Sequence, residues 1–144
     1  MYTLTTQITF EAAHRLRSAY SEACFKNLHG HSYRVEVEVQ SIDLNSDNMV
    51  CDFKKIKEII NSTIESKYDH SCFLHKEDPL VEPIVANCKK VFVCEENPTA
   101  EYMARRFYNE LIQSLKDNNL NTIKVSRVSV WETEHNMATY REDL

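Results

Sequence analysis

Two stretches near the amino terminus alternate between apolar and polar residues. Residues 33–40 place a tyrosine and three valines on one face and charged or amide side chains on the other. Residues 8–14 alternate in the same way, with Ile8, Phe10 and Ala12 on the apolar face. Alternation with a period of two predicts half-buried strands. We expect the two strands to pair antiparallel, so that the end of the first lies beside the start of the second.

Three histidines continue the apolar faces of these strands. His14 ends the first face, while His29 and His31 precede the second face at alternate positions. The antiparallel pairing would bring all three side chains to one end of the sheet. Three neutral imidazoles that leave one position open are typical of a catalytic zinc site. The alternative is that one of them is an ordinary core histidine. His75 and His135 fall on predicted loops and are not expected to be ligands.

Two later stretches repeat apolar residues at spacings of three and four, which predicts two amphipathic helices. The first runs from Phe53 to about Lys67, with Asp52 placed to cap its amino terminus. The second follows the segment 97–101, with Thr99 as its cap, and ends near residue 117.

The stretch 123–132 predicts a third long strand, followed by a last strand at 137–141. The apolar phase of the third strand changes near Ser126, which predicts a bulge, and its later phase points Glu132 inward. The order ββααββ predicts an α+β domain, with an antiparallel sheet and both helices on one face. A further short edge strand is predicted at 90–94.

Length, charge and cysteine content narrow the class of protein. A chain of 144 residues is one domain, 1–144. A net charge of −5 without a basic run argues against binding to nucleic acid. No apolar run reaches membrane-spanning length, and the amino terminus lacks a signal-peptide pattern, so we expect a cytoplasmic protein. The five cysteines include no CxxC pair and are expected to be reduced thiols.

Four other residues carry candidate chemistry. Cys24 lies in the long segment that links the two histidine-bearing strands, and a thiol near a metal can act as a thiolate base. Asp69 and His70 are adjacent, and a carboxylate can orient an imidazole. Glu132 needs a protein or ligand partner if it points inward. The alternatives without a chemical role are that the cysteine only contributes to packing and that Asp69 and His70 form a surface turn.

Several motifs, taken together, resemble the 6-pyruvoyltetrahydropterin synthase family over nearly the whole chain. They are FEAAHRL at 10–16, LHGHSY at 28–33, CDF at 51–53, Asp69-His70, NPTAE at 97–101 and WET at 131–133. Within the family the chain looks most like the bacterial branch, which makes 6-carboxy-5,6,7,8-tetrahydropterin. The resemblance implies the ββααββ T-fold of tetrahydrobiopterin synthases. It also implies protomers that join edge to edge into a barrel, as a homo-oligomer and most often a hexamer.

The resemblance also implies a function and the residues that perform it. The substrate would be 7,8-dihydroneopterin triphosphate, and acetaldehyde and triphosphate would be released on the route to queuosine and other 7-deazaguanine nucleosides. Zn²⁺ would be the cofactor. The implied roles are zinc binding by His14, His29 and His31, proton transfer by Cys24, Asp69 and His70, and pterin binding by Glu132 with Thr99 and Ala100 nearby.

One departure from the family pattern leaves alternatives open. Bacterial relatives usually place the cysteine four residues before the first histidine of HGH, where this chain has Phe25. Cys24 is one residue earlier, and a glutamate-using branch of the family makes Glu22 a competing base. The chain could instead form the pyruvoyl product, or be a non-catalytic relative that binds pterin or zinc.

Overall fold

The computed structural model describes residues 1–143 of the chain. The strands are β1 (Tyr2–Arg15), β2 (His29–Ser41), β3 (Ser71–His75), β4 (Val91–Cys94), β5 (Lys124–Trp131) and β6 (Met137–Tyr140). The helices are α1 (Glu22–Lys26), α2 (Phe53–Ile60), α3 (Ser66–Tyr68), α4 (Val81–Asn87) and α5 (Ala100–Asp117). No helix within these 143 residues is both long enough and apolar enough to cross a membrane.

The six strands form one mixed sheet in the order β4-β3-β1-β2-β5-β6. The four strands β1, β2, β5 and β6 are antiparallel, as predicted. The sheet is larger than predicted, because β3 pairs parallel with β1, and β4 pairs parallel with β3. The first four residues of β3 are all buried, so the strand lacks the alternation that marks a half-buried strand.

Both predicted helices are present, with the predicted caps. α2 continues through a π-helical turn, Asn61–Glu65, into α3, which gives one helical run over the predicted range. Asp52 accepts a hydrogen bond from the backbone N–H of Lys54, and Thr99 accepts one from that of Tyr102. These side chains satisfy donors that a helix terminus leaves free. The short helices α1 and α4 were not predicted.

The helical run and α5 pack on the same face of the sheet. Phe10 of β1 stacks on Tyr33 of β2, with ring centroids 5.1 Å apart, and meets Phe107 of α5 at 5.8 Å. The pairing of β2 with β5 shifts register between Glu38 and Val39, opposite Ser126, which confirms the predicted bulge. The apolar side chains therefore face the helices, and the histidines that continue this face lie at its end.

Candidate active site

Strand pairing brings the three histidines together. His14 of β1 lies directly across from His29 of β2, and Ala12 lies across from His31. One ligand nitrogen from each imidazole lies within 4.8 Å of the others. Among residues 1–143, this is the one group of three or more His, Cys, Asp or Glu side chains arranged to hold a metal ion. The predicted convergence is therefore present, and it excludes His75 and His135.

Backbone carbonyls fix the orientation of two of the rings. His14 Nδ1 donates to the Pro98 carbonyl oxygen at 2.8 Å, and His29 Nδ1 donates to that of Asn27 at 2.9 Å. A carbonyl oxygen can only accept, so the proton of each neutral ring sits on Nδ1. The Nε2 lone pairs are left free and lie 3.0 Å apart. Metal-binding histidines typically donate the N–H of their other ring nitrogen to a carbonyl or carboxylate oxygen in this way.

Burial favours the neutral form of His14 and His31. His14 is 1% exposed, and burial lowers its pKa, although the Pro98 carbonyl and the charge of Glu132 act in the opposite direction. Burial likewise lowers the pKa of His31 against the same Glu132 charge. A neutral imidazole is the form that binds a metal. His31 Nε2 is also buried without a hydrogen-bond partner in the described part of the chain.

These residues fit a transition-metal ion. The Nε2 atoms of His14 and His29 lie 3.0 Å apart, and their lone pairs repel each other unless they share a cation. The buried Nε2 of His31 needs a partner too, and the same cation would supply it. Three imidazoles suit zinc and neighbouring metals, and they leave room for an exogenous ligand.

The three predicted substrate-binding residues line one cavity of about 210 Å³ beside the histidines. Thr99 and Ala100 come from the start of α5, and Glu132 directly follows β5. Glu132 Oε1 lies 3.4 Å from Nε2 of both His14 and His31. The carboxylate therefore joins the three-histidine cluster to the cavity.

Sequence reasoning missed a second carboxylate on this cavity. Glu101 lies in the first turn of α5, is exposed, and lines the cavity with Thr99 and Glu132. An acidic residue in the first helical turn also stabilises the helix dipole, so its position alone gave no functional signal. The sequence signal that could have identified Glu101 is its position in the NPTAE segment.

Asp69 and His70 are in contact with each other, but neither is part of the three-histidine cluster. Asp69 Oδ1 accepts from the Glu11 backbone N–H at 2.8 Å, and its Oδ2 accepts from His70 Nδ1 at 2.9 Å. The Glu11 hydrogen bond and the His70 imidazole hold the pKa of Asp69 below its ordinary value, and the small desolvation opposes them. His70 has a φ of 61° and a side chain 80% exposed, beside Glu11 and Ser32. His31 lines the same surface pocket, but His70 is not part of the three-histidine cluster.

Cys24 lies on α1, in the loop between β1 and β2. Its side chain is partly buried, and its carbonyl oxygen accepts from Leu16 N at 3.2 Å. Glu22, the competing base, pairs with Lys26 Nζ at 2.5 Å and keeps a carboxylate side chain that is 70% exposed. The roles of both residues stay predictions.

Comparison with known proteins shows the family to which the chain belongs. Residues 3–143 match the family described as 6-pyruvoyl tetrahydropterin synthase. The chain is 39% identical over 123 residues to the 6-carboxy-5,6,7,8-tetrahydropterin synthase of Aquifex aeolicus, covering 81% of this chain and 75% of that protein. It is 34% identical over 142 residues to the protein of the same name from Helicobacter pylori strain J99, covering 94% and 70%.

Solved structures share the fold. The uncharacterized protein WS1659 from Wolinella succinogenes superposes with a TM-score of 0.80 at 21% identity, covering 99% of this chain and 98% of that one. Caenorhabditis elegans 6-pyruvoyl tetrahydropterin synthase superposes with a TM-score of 0.68 at 24% identity, covering 99% and 96%. On its sequence match over residues 3–143, the chain belongs to the 6-pyruvoyl tetrahydropterin synthase family.

Proposed function

We propose that this protein is a zinc enzyme that converts 7,8-dihydroneopterin triphosphate to 6-carboxy-5,6,7,8-tetrahydropterin, with release of acetaldehyde and triphosphate, in queuosine biosynthesis. The observation that carries the proposal is the contact of Glu132 with His14 and His31 at the cavity that also contains Thr99 and Ala100. The names of the curated relatives favour the carboxy product. The five cysteines are free thiols, as a cytoplasmic location requires.

His14, His29 and His31 would hold the zinc through Nε2. When bound, zinc supplies a Lewis acid that polarises the side-chain oxygens of the substrate and acidifies the adjacent C–H bond. The Pro98 and Asn27 carbonyls keep the rings of His14 and His29 in the orientation that this requires.

A carboxylate on the cavity would recognise the pterin. The 2-amino group and N3 of a pterin present two parallel N–H donors, which a carboxylate accepts as a bidentate pair. Glu132 is the residue that the family resemblance assigns to this contact. Glu101 offers the same chemistry on the same cavity and lacks the contact with the ligand histidines. Comparing Glu132→Gln with Glu101→Gln separates them, because loss of the anchor raises KM.

Cys24 would remove a proton from the substrate side chain, and His70, oriented by Asp69, would return one. The side chain of His70 is 80% exposed and lies outside the three-histidine cluster of its own chain, so we assign it to the active site of a neighbouring copy. A homo-oligomeric ring, most simply a hexamer, would then place the sites at subunit interfaces. This assembly is part of the proposal.

Product analysis tests the proposal. The zinc-loaded protein is incubated with 7,8-dihydroneopterin triphosphate, and the products are identified by mass spectrometry. We expect acetaldehyde, triphosphate and the 6-carboxy product. A pyruvoyl product would instead assign the chain to the tetrahydrobiopterin route. No turnover, with pterin still bound, would make it a non-catalytic relative.

A further inference from the structure

The side chain of Asn97 connects the segment before α5 to the loop that contains Cys24. Its Oδ1 accepts from the backbone N–H of Arg17 at 2.7 Å, and its Nδ2 donates to the Ser18 carbonyl oxygen at 3.4 Å. One carboxamide thus engages two successive residues of the loop, with its acceptor and its donor used at the same time.

The neighbouring residue holds a metal ligand. Pro98 accepts from His14 Nδ1 through its carbonyl oxygen at 2.8 Å, while the carbonyl of Asn97 accepts from Thr99 N at 2.8 Å in the turn that opens α5. Asn97 and Pro98 therefore fix the cysteine loop and the metal centre to the same short piece of backbone.

A second contact carries the constraint to the cysteine. Leu16 N donates to the Cys24 carbonyl oxygen at 3.2 Å, directly before the residue that Asn97 holds. The loop has little packing of its own, because every residue of α1 is partly or fully exposed and Tyr20 is fully exposed. A loop with so few buried contacts opens locally unless hydrogen bonds hold it.

We propose that Asn97 is a positioning residue that sets the reach of Cys24 towards the substrate at the metal centre. It does so by holding residues 17 and 18 at a fixed distance from His14. The inference rests on the proposed function, in which Cys24 is the base. Arg15 cannot take over this role. Its ion pair with Asp78 fixes the end of β1 but does not restrain the residues after Leu16.

The test compares zinc-loaded Asn97→Ala and Asn97→Asp with the wild type by amide hydrogen exchange and steady-state kinetics. The informative amides are those of Leu16 and Cys24, neither of which touches Asn97. In Asn97→Ala we expect them to exchange about tenfold faster, since a lost hydrogen bond is worth about that factor. We also expect kcat to fall about tenfold or more with a smaller change in KM, because the base is misplaced while, of the described loop residues 16–28, only Leu16 lines the pterin cavity.

Two variants serve as comparisons. Asn97→Asp keeps the oxygen that accepts from Arg17 N–H and should retain most of kcat and of the slow exchange. Asn118→Ala removes an asparagine that also bonds to a backbone carbonyl, that of Ser114, at the far end of α5. It should change neither quantity. Zinc content should be the same in all of these proteins.

Three results would overturn the inference. Unchanged exchange at Leu16 and Cys24 in Asn97→Ala would mean that Asn97 does not hold the loop. Faster exchange with an unchanged kcat would mean that the loop position does not matter for catalysis. Loss of zinc in Asn97→Ala would indicate a structural role through Pro98. A wild type that does not turn over the pterin triphosphate would refute the proposed function, a result distinct from all three.

Discussion

The guanidinium of Arg15 forms a two-point ion pair with the buried carboxylate of Asp78. Arg15 Nε donates to Asp78 Oδ2 at 2.8 Å, and Nη2 contacts the other oxygen. Asp78 is 3% exposed, and it also accepts from Leu80 N at 2.8 Å. Arg15 directly follows His14, so the pair fixes the end of β1 where the metal ligand lies. It also joins β1 to the segment between β3 and α4.

Removal of Arg15 should strongly destabilise the fold. Burial alone would raise the pKa of Asp78, but the Arg15 hydrogen bond and charge, together with Leu80 N–H, hold it below the ordinary value. Arg15→Met leaves this buried carboxylate unpaired, which should cost about 3 kcal/mol in urea unfolding at pH 7. Arg105→Met is the control, because its partner Glu96 is exposed and such pairs contribute less than about 1 kcal/mol.

The same pair predicts a pH dependence. A carboxyl group whose pKa is lowered on folding stabilises the protein above its unfolded pKa of about 4, and that contribution is lost as the pH falls through the folded pKa. The stability difference between wild type and Arg15→Met should therefore be largest at neutral pH and shrink as the pH falls, from above about pH 4 downwards, because burial alone raises the pKa of the unpaired Asp78 in the variant. A difference that stays constant down to pH 3 would show that Asp78 does not supply the charge.

Loss of one histidine should remove the metal. Wild-type protein purified with zinc should contain about one zinc per chain, and His31→Ala should contain almost none, because two imidazoles hold zinc weakly. His135→Ala is the matched control, since His135 lies in an exposed turn and is not part of the cluster. Elemental analysis of the purified proteins measures both. Full zinc content in His31→Ala would contradict the three-histidine site.

Metal retention should extend to mildly acidic pH. Burial lowers the pKa of His14 and of His31 from the ordinary value near 6.5, so both rings stay neutral as the pH falls through that value. Protons should therefore compete for Nε2 of His14 and His31 only below that ordinary value, which extends zinc binding to lower pH. Zinc titrations across pH 5 to 8 with a fluorescent chelator measure this. Affinity that already collapses at pH 7 would be the opposite result.

The half-buried strands of the sheet were predictable because burial on one face leaves a visible alternation. β1 shows it over residues 8–14 and β2 over residues 33–40, and the register of the two strands brings His14, His29 and His31 together. β3 pairs between two other strands and buries both of its faces, so no alternation marks it. The short helices α1 and α4 contain too few residues for a helical stripe to emerge.

Site residues were predictable where strand register alone determines their position. They were not predictable where contacts between distant segments of the chain determine it. Glu132 was predicted to point inward, and it contacts two of the ligand histidines. The face occupied by His70 follows from its backbone hydrogen bond to Glu11 and its positive φ, and neither is encoded in a hydrophobic pattern. The use of Asn97 as a link between loop and metal centre is likewise a contact between distant segments.

The edges of the sheet predict assembly. β4 and β6 form the two edges, and each carries an exposed apolar side chain, Val93 at 45% and Met137 at 53% exposure. Open edges of this kind pair with another chain unless they are blocked. Light scattering should show a ring-forming oligomer, with six chains as the expected number. A strictly monomeric species at micromolar concentration would contradict both this prediction and the assignment of His70 to a neighbouring site.

Cys24 should be the base, in preference to Glu22. Its thiol is partly buried on α1, whereas the Glu22 carboxylate is exposed and already paired with Lys26. Of the other cysteines, Cys72 is buried in β3, where desolvation, aided by the nearby Cys88 thiol, raises its pKa to about 11, which disfavours a thiolate at neutral pH. Cys24→Ala should lower kcat by about a hundredfold or more, the usual contribution of a general base.

Paired measurements on Cys24→Ala and Glu22→Gln decide the identity of the base. Zinc content should be unchanged in both, because three imidazoles hold the metal without the sulfur. Glu22→Gln should lose only a surface ion pair with Lys26 and keep kcat within about twofold of the wild type. The reverse ranking, with Glu22→Gln inactive and Cys24→Ala active, would place this chain in the glutamate-using branch. The base would then act from the first residue of α1, and the inference that Asn97 positions Cys24 as the base would fail.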